Sequence, residues 1–339
     1  METGVFDSRG FRPAQPASAV SLDARMKPPG CAQAVLFDGN RSVRLARLEL
    51  EALEAGDVAV EVFWSGISTG TERLMWSGDM PPFPGLSYPL VPGYEAIGRI
   101  ICAPDAPDRI GEIVFVPGAR CFRAASGLFG GAASHLITAG SRAHTVHLAD
   151  PREGVLLALA ATAHHAVAGQ GLPDLIVGHG VLGRLAARIV IALGGDRPVV
   201  WETNPARRQP APYNVISPED DPCRTYRSVC DLSGDALIID KVLPHCARGA
   251  EIVLAGFYAE RPSFAFPAAF MKEMRLRIAA EWRPEDLVAV LSLVSEGSLS
   301  LAGLITHSLA AEDAGEAYRT AFSDPACLKM ILNWDGFHG

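Results

Sequence analysis

The stretch from residue 174 to residue 202 constrains this chain most. The apolar run Asp174-Leu175-Ile176-Val177 leads directly into Gly178-His179-Gly180-Val181-Leu182-Gly183, a G-x-G-x-x-G. Leu182, Leu185, Ala186, Ile189 and Leu193 then keep helical spacing, and Gly194-Gly195 stops the helix. A second apolar run, Pro198-Val199-Val200-Trp201, ends in Glu202, 19 residues past Gly183. Strand, glycine turn, helix and acid-terminated strand together make a dinucleotide-binding unit. Gly178 permits the tight turn, Gly180 lets backbone approach a pyrophosphate, and Gly183 lets helix and strand pack closely. The helix N-terminus stabilises the anion, and Glu202 accepts hydrogen bonds from ribose hydroxyls. His179, Val181 and Leu182 fill the x positions, with the His179 side chain expected to point away from the phosphates. Thr203, Arg207, Ser233 and Gly256 are expected along the same crevice.

Glu202 also bears on cofactor choice, because a carboxylate repels a 2′-phosphate. NAD is therefore expected, with Arg207 and Arg208 as the cations that would hold the phosphate of NADP instead.

Around this unit the texture changes twice. From Ala34 to about His147, short apolar runs (QAVLF, SVRLARLEL, DVAVEVFW, AIGRII, EIVFV, TVHL) alternate with turns, and Met80–Gly85 forms a Pro-rich loop. From Pro151 to about Glu281, helices alternate with strands apolar on both faces, at 174–177, 198–201, 229–232, 251–255 and 276–280. That pattern indicates a parallel sheet covered on both sides. Helices over 284–295 and 311–322 and a strand over 328–332 complete the chain. Residues 1–30, rich in Pro, Ala, Ser and Gly, read as a disordered extension.

Composition excludes several classes. The 339 residues carry 30 Lys+Arg against 38 Asp+Glu, a net charge of −8, with no basic stripe, so nucleic acid is not expected as a partner. No apolar run reaches the ~20 residues of a membrane span. Seven cysteines without a C-x-x-C pair fit neither a disulfide framework nor a zinc ribbon, and suit a reducing cytoplasm.

A β-rich module, a later Rossmann unit and a C-terminal return resemble the medium-chain dehydrogenase/reductase superfamily from Ala34 to Trp334. The resemblance implies an α/β fold: a Rossmann doubly wound parallel sheet over 151–281 and a GroES-like catalytic domain over 31–150 and 282–339. It also implies dimerisation with a second copy through the sixth-strand edge of the Rossmann sheet. Zinc alcohol dehydrogenases of that superfamily carry a Gly-Ile-Cys turn, a Gly-His-Glu turn and a third ligand before the fingerprint. Here the first two read Gly66-Ile67-Ser68 and Gly93-Tyr94-Glu95, and no cysteine lies between Asp150 and Gly178. No metal is expected, since Ser and Tyr are poor zinc ligands.

One branch is closer. Trp64–Glu72, Met80–Gly85, Tyr88–Glu95, Ala161–Ala166, Gly178–Gly183, Trp201–Arg208 and Gly256–Arg261 look like the bacteriochlorophyllide a dehydrogenases of photosynthetic bacteria. That resemblance implies oxidation of the 3-(1-hydroxyethyl) group of a chlorin or bacteriochlorin to 3-acetyl with NAD⁺. Without zinc, the hydroxyl proton must pass to a side chain. Tyr94 and Ser68 are expected to face the nicotinamide. His164 is the preferred base and His165 its rival, since neighbours on a helix point ~100° apart and both can hardly face one site; a purely structural histidine pair is the third reading. Glu72 reads either as orienting Ser68 or binding a water, or as a solvated carboxylate on a loop. Phe83, Tyr88, Phe257 and Tyr258 are expected to offer flat apolar surface to the macrocycle; Arg261 and Lys272 are candidate cations for its propionate, with ordinary surface charge the favoured reading of each. Two other readings stay open: a zinc-independent quinone or enoyl reductase using NADPH, and a nucleotide-binding protein without turnover.

Overall fold

The change of texture along the sequence becomes two large sheets, beside a two-stranded sheet of residues 31–37 and 43–49, in the computed structural model, which describes residues 28–337 apart from Asn40, Gln170 and Pro210. Except for residues 28–30, the expected extension lies outside the described residues. The first part forms β1 (Cys31–Phe37), β2 (Val43–Glu49), β3 (Asp57–Ile67), α1 (Thr71–Ser77), β4 (Ala96–Cys102), β5 (Ile113–Val116), β6 (His135–Ala139) and β7 (His144–Thr145). The middle forms α2 (Leu157–Val167), β8 (Leu175–Val177), α3 (Val181–Ala192), β9 (Val199–Trp201), β10 (Asn214–Ile216), β11 (Tyr226–Asp231), α4 (Ile238–Val242), β12 (Cys246–Leu254), α5 (Phe266–Lys272) and β13 (Arg275–Ile278). The chain ends with α6 (Pro284–Ser295), β14 (His307–Ala310), α7 (Ala314–Ser323) and β15 (Met330–Asn333).

The middle strands make a six-stranded sheet in the order β10-β9-β8-β11-β12-β13, parallel throughout. Strands β8 and β9 are so short and apolar because helices cover both their faces. The order reverses beside β8, and ligands of such sheets bind at the carboxyl ends of the strands flanking that reversal. The other large sheet runs β14-β15-β3-β4-β5-β7, with β6 also paired to β3. Thus the last strand inserts between β14 and β3, antiparallel to β3.

Three short strands, β6, β10 and β14, are absent from the sequence reading. Past the expected domain boundary at 282, Leu287 and Val290 of α6 share a core with α2 and α3, and the chain rejoins the β-rich sheet at β14. Ile97, Phe115 and Ile331 of that sheet join the same core, which packs the two parts together beside a cleft of about 2060 Å³. All seven cysteines are free thiols. Among the described residues, no helix is long and apolar enough to cross a membrane.

Candidate active site

The cofactor side of the cleft is built from the glycine turn. Gly178 sits at φ +101°, open to glycine but strained for other residues. A Cβ on Gly183 would come within 1.9 Å of the Gly178 carbonyl oxygen, whereas one on Gly180 would meet nothing within 4 Å. The chain therefore needs glycine at 183 for packing and leaves space over Gly180, at the N-terminus of α3, where unpaired N–H groups receive an anion. This open cradle fits a dinucleotide pyrophosphate. Gly178, His179, Gly180, Val181, Leu182, Gly183, Glu202, Thr203, Arg207, Ser233 and Gly256 all line the cleft.

Glu202 is nearly buried; Oε2 accepts the His179 N–H at 3.1 Å and Oε1 the Asn204 N–H at 2.8 Å. The His179 ring is fully buried. Its Nδ1 donates to the Arg207 carbonyl at 2.7 Å, which leaves Nε2 to accept from the Tyr213 hydroxyl at 3.0 Å. Burial pushes its pKa down, in keeping with a neutral ring. His179 thus ties the turn to the segment after β9, and only its backbone faces the cofactor side.

Across the cleft, a polar cluster lies where β3, α1, β15, α7 and the turn before β4 meet. Ser68 and Tyr94 line the cleft, and Glu72 lies behind them, fully buried. Oε1 of Glu72 accepts the Ser68 N–H at 3.2 Å. Its Oε2 has no hydrogen-bond partner, and neither does the Tyr318 hydroxyl that α7 brings toward it. Burial pushes the Glu72 carboxyl up to about 8, against the pull of Lys329 and the Ser68 N–H. Burial, and then the Glu72 charge, hold the Tyr94 phenol well above its ordinary value.

Below this cluster Glu95 and Lys329 form an ion pair, both wholly buried. The pair passes over Gly66, where a Cβ would meet Glu95 Oε2 at 2.6 Å and Lys329 Nζ at 2.8 Å. Sequence reasoning missed Lys329, although a lone lysine in the apolar run Cys327–Leu332 is an available signal. It also missed Tyr318 and Phe129, whose ring meets that of Tyr94 edge-on at 4.2 Å.

No family model matches the chain. It is 56% identical over 310 residues to the 2-desacetyl-2-hydroxyethyl bacteriochlorophyllide A dehydrogenase of Cereibacter sphaeroides, covering 89% of this chain and 98% of that protein. The protein of the same name from Rhodobacter capsulatus is 55% identical over 307 residues, with the same coverage. The chain belongs to the bacteriochlorophyllide a dehydrogenase family. Among solved structures it resembles an Escherichia coli alcohol dehydrogenase (rspB) complexed with NADH, at 19% identity and TM-score 0.78, covering 90% of this chain and all of that one. Acetophenone reductase from Geotrichum candidum in complex with NAD gives 17% identity and TM-score 0.78 over 92% of this chain and all of that one. These show a dehydrogenase fold with Rossmann and GroES-like parts. Membership in a dehydrogenase family sets aside the reductase and the non-catalytic readings.

Zinc, which many proteins of this fold hold, does not fit the residues present. The cluster offers a serine, a phenol and two buried carboxyls, one of them already paired with a lysine. Among the described residues no group of three His, Cys, Asp or Glu side chains could hold a metal.

The histidine pair is placed differently from expectation. His164 Nδ1 meets Asp286 Oδ1 at 2.7 Å, and His165 Nδ1 meets Oδ2 at 2.9 Å. One carboxylate at the start of α6 has two oxygens to offer, so neighbouring histidines do face one partner after all. Asp286 also accepts the Arg283 N–H at 2.8 Å. Although burial opposes it, these contacts hold the Asp286 carboxyl below its ordinary value. Ala158, Leu159 and Thr162 of α2 line the cleft; His164 and His165 do not. The pair fastens α2 to α6.

The aromatic expectations divide. Phe83, Phe257 and Tyr258 line the cleft. The Tyr258 hydroxyl, however, donates to the carboxylate of Asp231. Tyr88 lies off the cleft wall, donating to the Met75 carbonyl at 2.5 Å. Lys272 donates to the Cys246 carbonyl at 2.5 Å, and neither it nor Arg261 lines the cleft.

Proposed function

We propose that this protein oxidises the 3-(1-hydroxyethyl) group of a chlorophyllide or bacteriochlorophyllide to 3-acetyl, with NAD⁺ and without zinc. The substrate follows the names of the two relatives above 50% identity. The buried Ser68–Glu72–Tyr94 cluster, with an open carboxyl oxygen behind the cleft wall, is the observation that carries the chemistry.

Bound nicotinamide supplies the acceptor for the carbinol C–H, which leaves with its electron pair. The hydroxyl proton is left to the chain. Ser68 and Tyr94 hold the hydroxyl, and the proton moves by way of Ser68 to the free Oε2 of Glu72. The Tyr94 phenol keeps its own proton and donates a hydrogen bond to the oxygen as charge develops there. Phe83, Phe129 and Phe257 shield the reaction from water. NAD⁺ and a 3-hydroxyethyl chlorin, followed by pigment absorption, test the reading; wild-type protein that forms no acetyl product refutes it.

Cofactor choice rests on Glu202, whose two oxygens are fixed by backbone N–H groups while Arg207 is drawn to the Pro325 carbonyl at 2.9 Å. Turnover with NAD⁺ should exceed that with NADP⁺. Glu202→Ser should lower kcat/KM for NAD⁺ by about tenfold, the value of a charged hydrogen bond, and narrow the preference. Equal use of both cofactors by the native protein contradicts this.

A second copy of the chain fits the edge of the six-stranded sheet. There β13 lacks a partner on one side and exposes Leu276 and Ile278, 43% and 67% accessible. Sedimentation should give a dimer that Ile278→Lys splits, and a monomeric native protein removes the proposal. The free thiols suit the cytoplasm, and cell fractionation that finds the protein elsewhere overturns that placement.

A further inference from the structure

Among the described residues, five basic side chains line the cleft: Arg73, Arg120, Arg142, Arg207 and Lys241. Three of them are committed. Arg142 donates to the Pro117 and Gly118 carbonyls, Arg207 to Pro325, and Lys241 pairs with Asp235. Arg73 and Arg120 are exposed and make no hydrogen bond or ion pair. On the wall near Arg120, Glu51 is held by Arg123, and Asp57 accepts the Glu54 N–H. The remaining carboxylate, Glu54, lies beyond ion-pair distance of any cation.

Arg120 differs from an ordinary surface arginine in how it is mounted. The segment 117–121 is pressed against 127–131, backbone on backbone. A Cβ on Gly118 would come within 1.9 Å of the Phe129 carbonyl oxygen, and one on Gly130 within 1.9 Å of the Ala119 oxygen. A Cβ on Gly127 would meet Arg120 Cα at 3.0 Å. These glycines lock the arginine's backbone to the segment that carries Leu128 and Phe129, two apolar members of the cleft wall. Phe129 in turn meets Tyr94. The wall therefore holds Tyr94 at the reaction end, the Phe129 ring set edge-on against it, the apolar Leu128, and an unpaired guanidinium on a backbone locked to that segment. A flat apolar molecule with a carboxylate at its periphery matches that sequence of surfaces, and a chlorophyllide carries its propionate on a different pyrrole ring from the hydroxyethyl group.

We propose that Arg120 anchors the propionate carboxylate of the substrate, so that the enzyme selects the free acid over its esters. The inference rests on the chlorophyllide reading above. Arg73 is the less suitable anchor, because it follows Glu72 on α1 and would bring the carboxylate beside a buried acid at the reaction end.

The test compares the free acid of a 3-hydroxyethyl chlorin with its propionate methyl ester as alternative substrates. Wild-type protein should prefer the acid by at least about tenfold in kcat/KM, the value of a charge-assisted hydrogen bond. Arg120→Ala should bring the acid-to-ester ratio toward one, through a raised KM for the acid with kcat held within about twofold. Arg120→Lys should retain part of the preference, keeping the charge but losing the planar fork. An acid-to-ester ratio that survives Arg120→Ala, or that collapses in Arg73→Ala instead, overturns the assignment. Wild-type protein that oxidises acid and ester equally well removes this inference alone. Protein that oxidises neither removes the reading beneath it as well.

Discussion

Glu72→Gln is expected to lower kcat for alcohol oxidation by ~10²–10⁴, the usual loss on removing a positioned acid–base group, while NAD⁺ affinity stays unchanged. It should also abolish the rise of rate with pH. The native rate should climb until the carboxyl that burial pushes up to about 8 has ionised, then level off. Below that pH Glu72 already holds a proton and takes no second one. The same group leaves a mark on stability. Its folded pKa of about 8 stands above the ordinary 4.5, so the folded state binds the extra proton between those values. The contribution is complete below the unfolded value and is lost as pH rises through the folded one. At 1.36 kcal/mol per unit, the native protein should lose on the order of 5 kcal/mol from this group across that window, and the Gln variant none. Denaturant titrations and kcat profiles at several pH values check both. An unchanged acid limb in Glu72→Gln shows that the proton leaves by another route.

Lys329→Met should cost about 3–5 kcal/mol of stability, because it strands the Glu95 charge in a wholly buried site. The cost should shrink toward acid pH, since burial already raises the Glu95 carboxyl above its ordinary range and protonation there removes the stranded charge. Coupling Lys329→Met with Glu95→Gln replaces both charges by groups of similar volume and should recover most of the loss. The double variant, freed of the cation that favours ionised Glu72, should have the acid limb of its kcat profile at higher pH. Urea titration of the three variants measures the first effects. A single variant within about 1 kcal/mol of native shows that the pair carries little.

Local chemistry made half of this site legible in the sequence. Gly178–Gly183, α3 and Glu202 lie within one βα turn and the next strand, so spacing along the chain reports their geometry. Ser68 and Tyr94 were found because two ligand turns kept their flanking residues, Gly66-Ile67 and Gly93 with Glu95. The histidine pair illustrates the opposite case. His164 and His165 look like bases until Asp286, some 120 residues away, is known to hold both. Lys329 passed for one residue of a terminal strand because its partner lies on a different strand connection. Tyr318 passed for a helix residue of the core. Neither Phe129 nor Arg120 belongs to a periodic element, and only the packing of two glycine-rich segments brings them to one wall.

The insertion of β15 between β14 and β3 has a consequence for biosynthesis. Glu95 and Lys329 are 234 residues apart. At about 5–20 residues per second, the ribosome needs on the order of 10–50 seconds to supply the lysine after the glutamate has appeared. During that interval β3 has an open edge, Glu95 is an ordinary solvated carboxylate, and the glycine turn of the nucleotide half is already complete. The nascent chain thus acquires its cofactor cradle before it acquires its acid–base chemistry, and β15, translated well after that cradle, is the strand that closes the reaction centre.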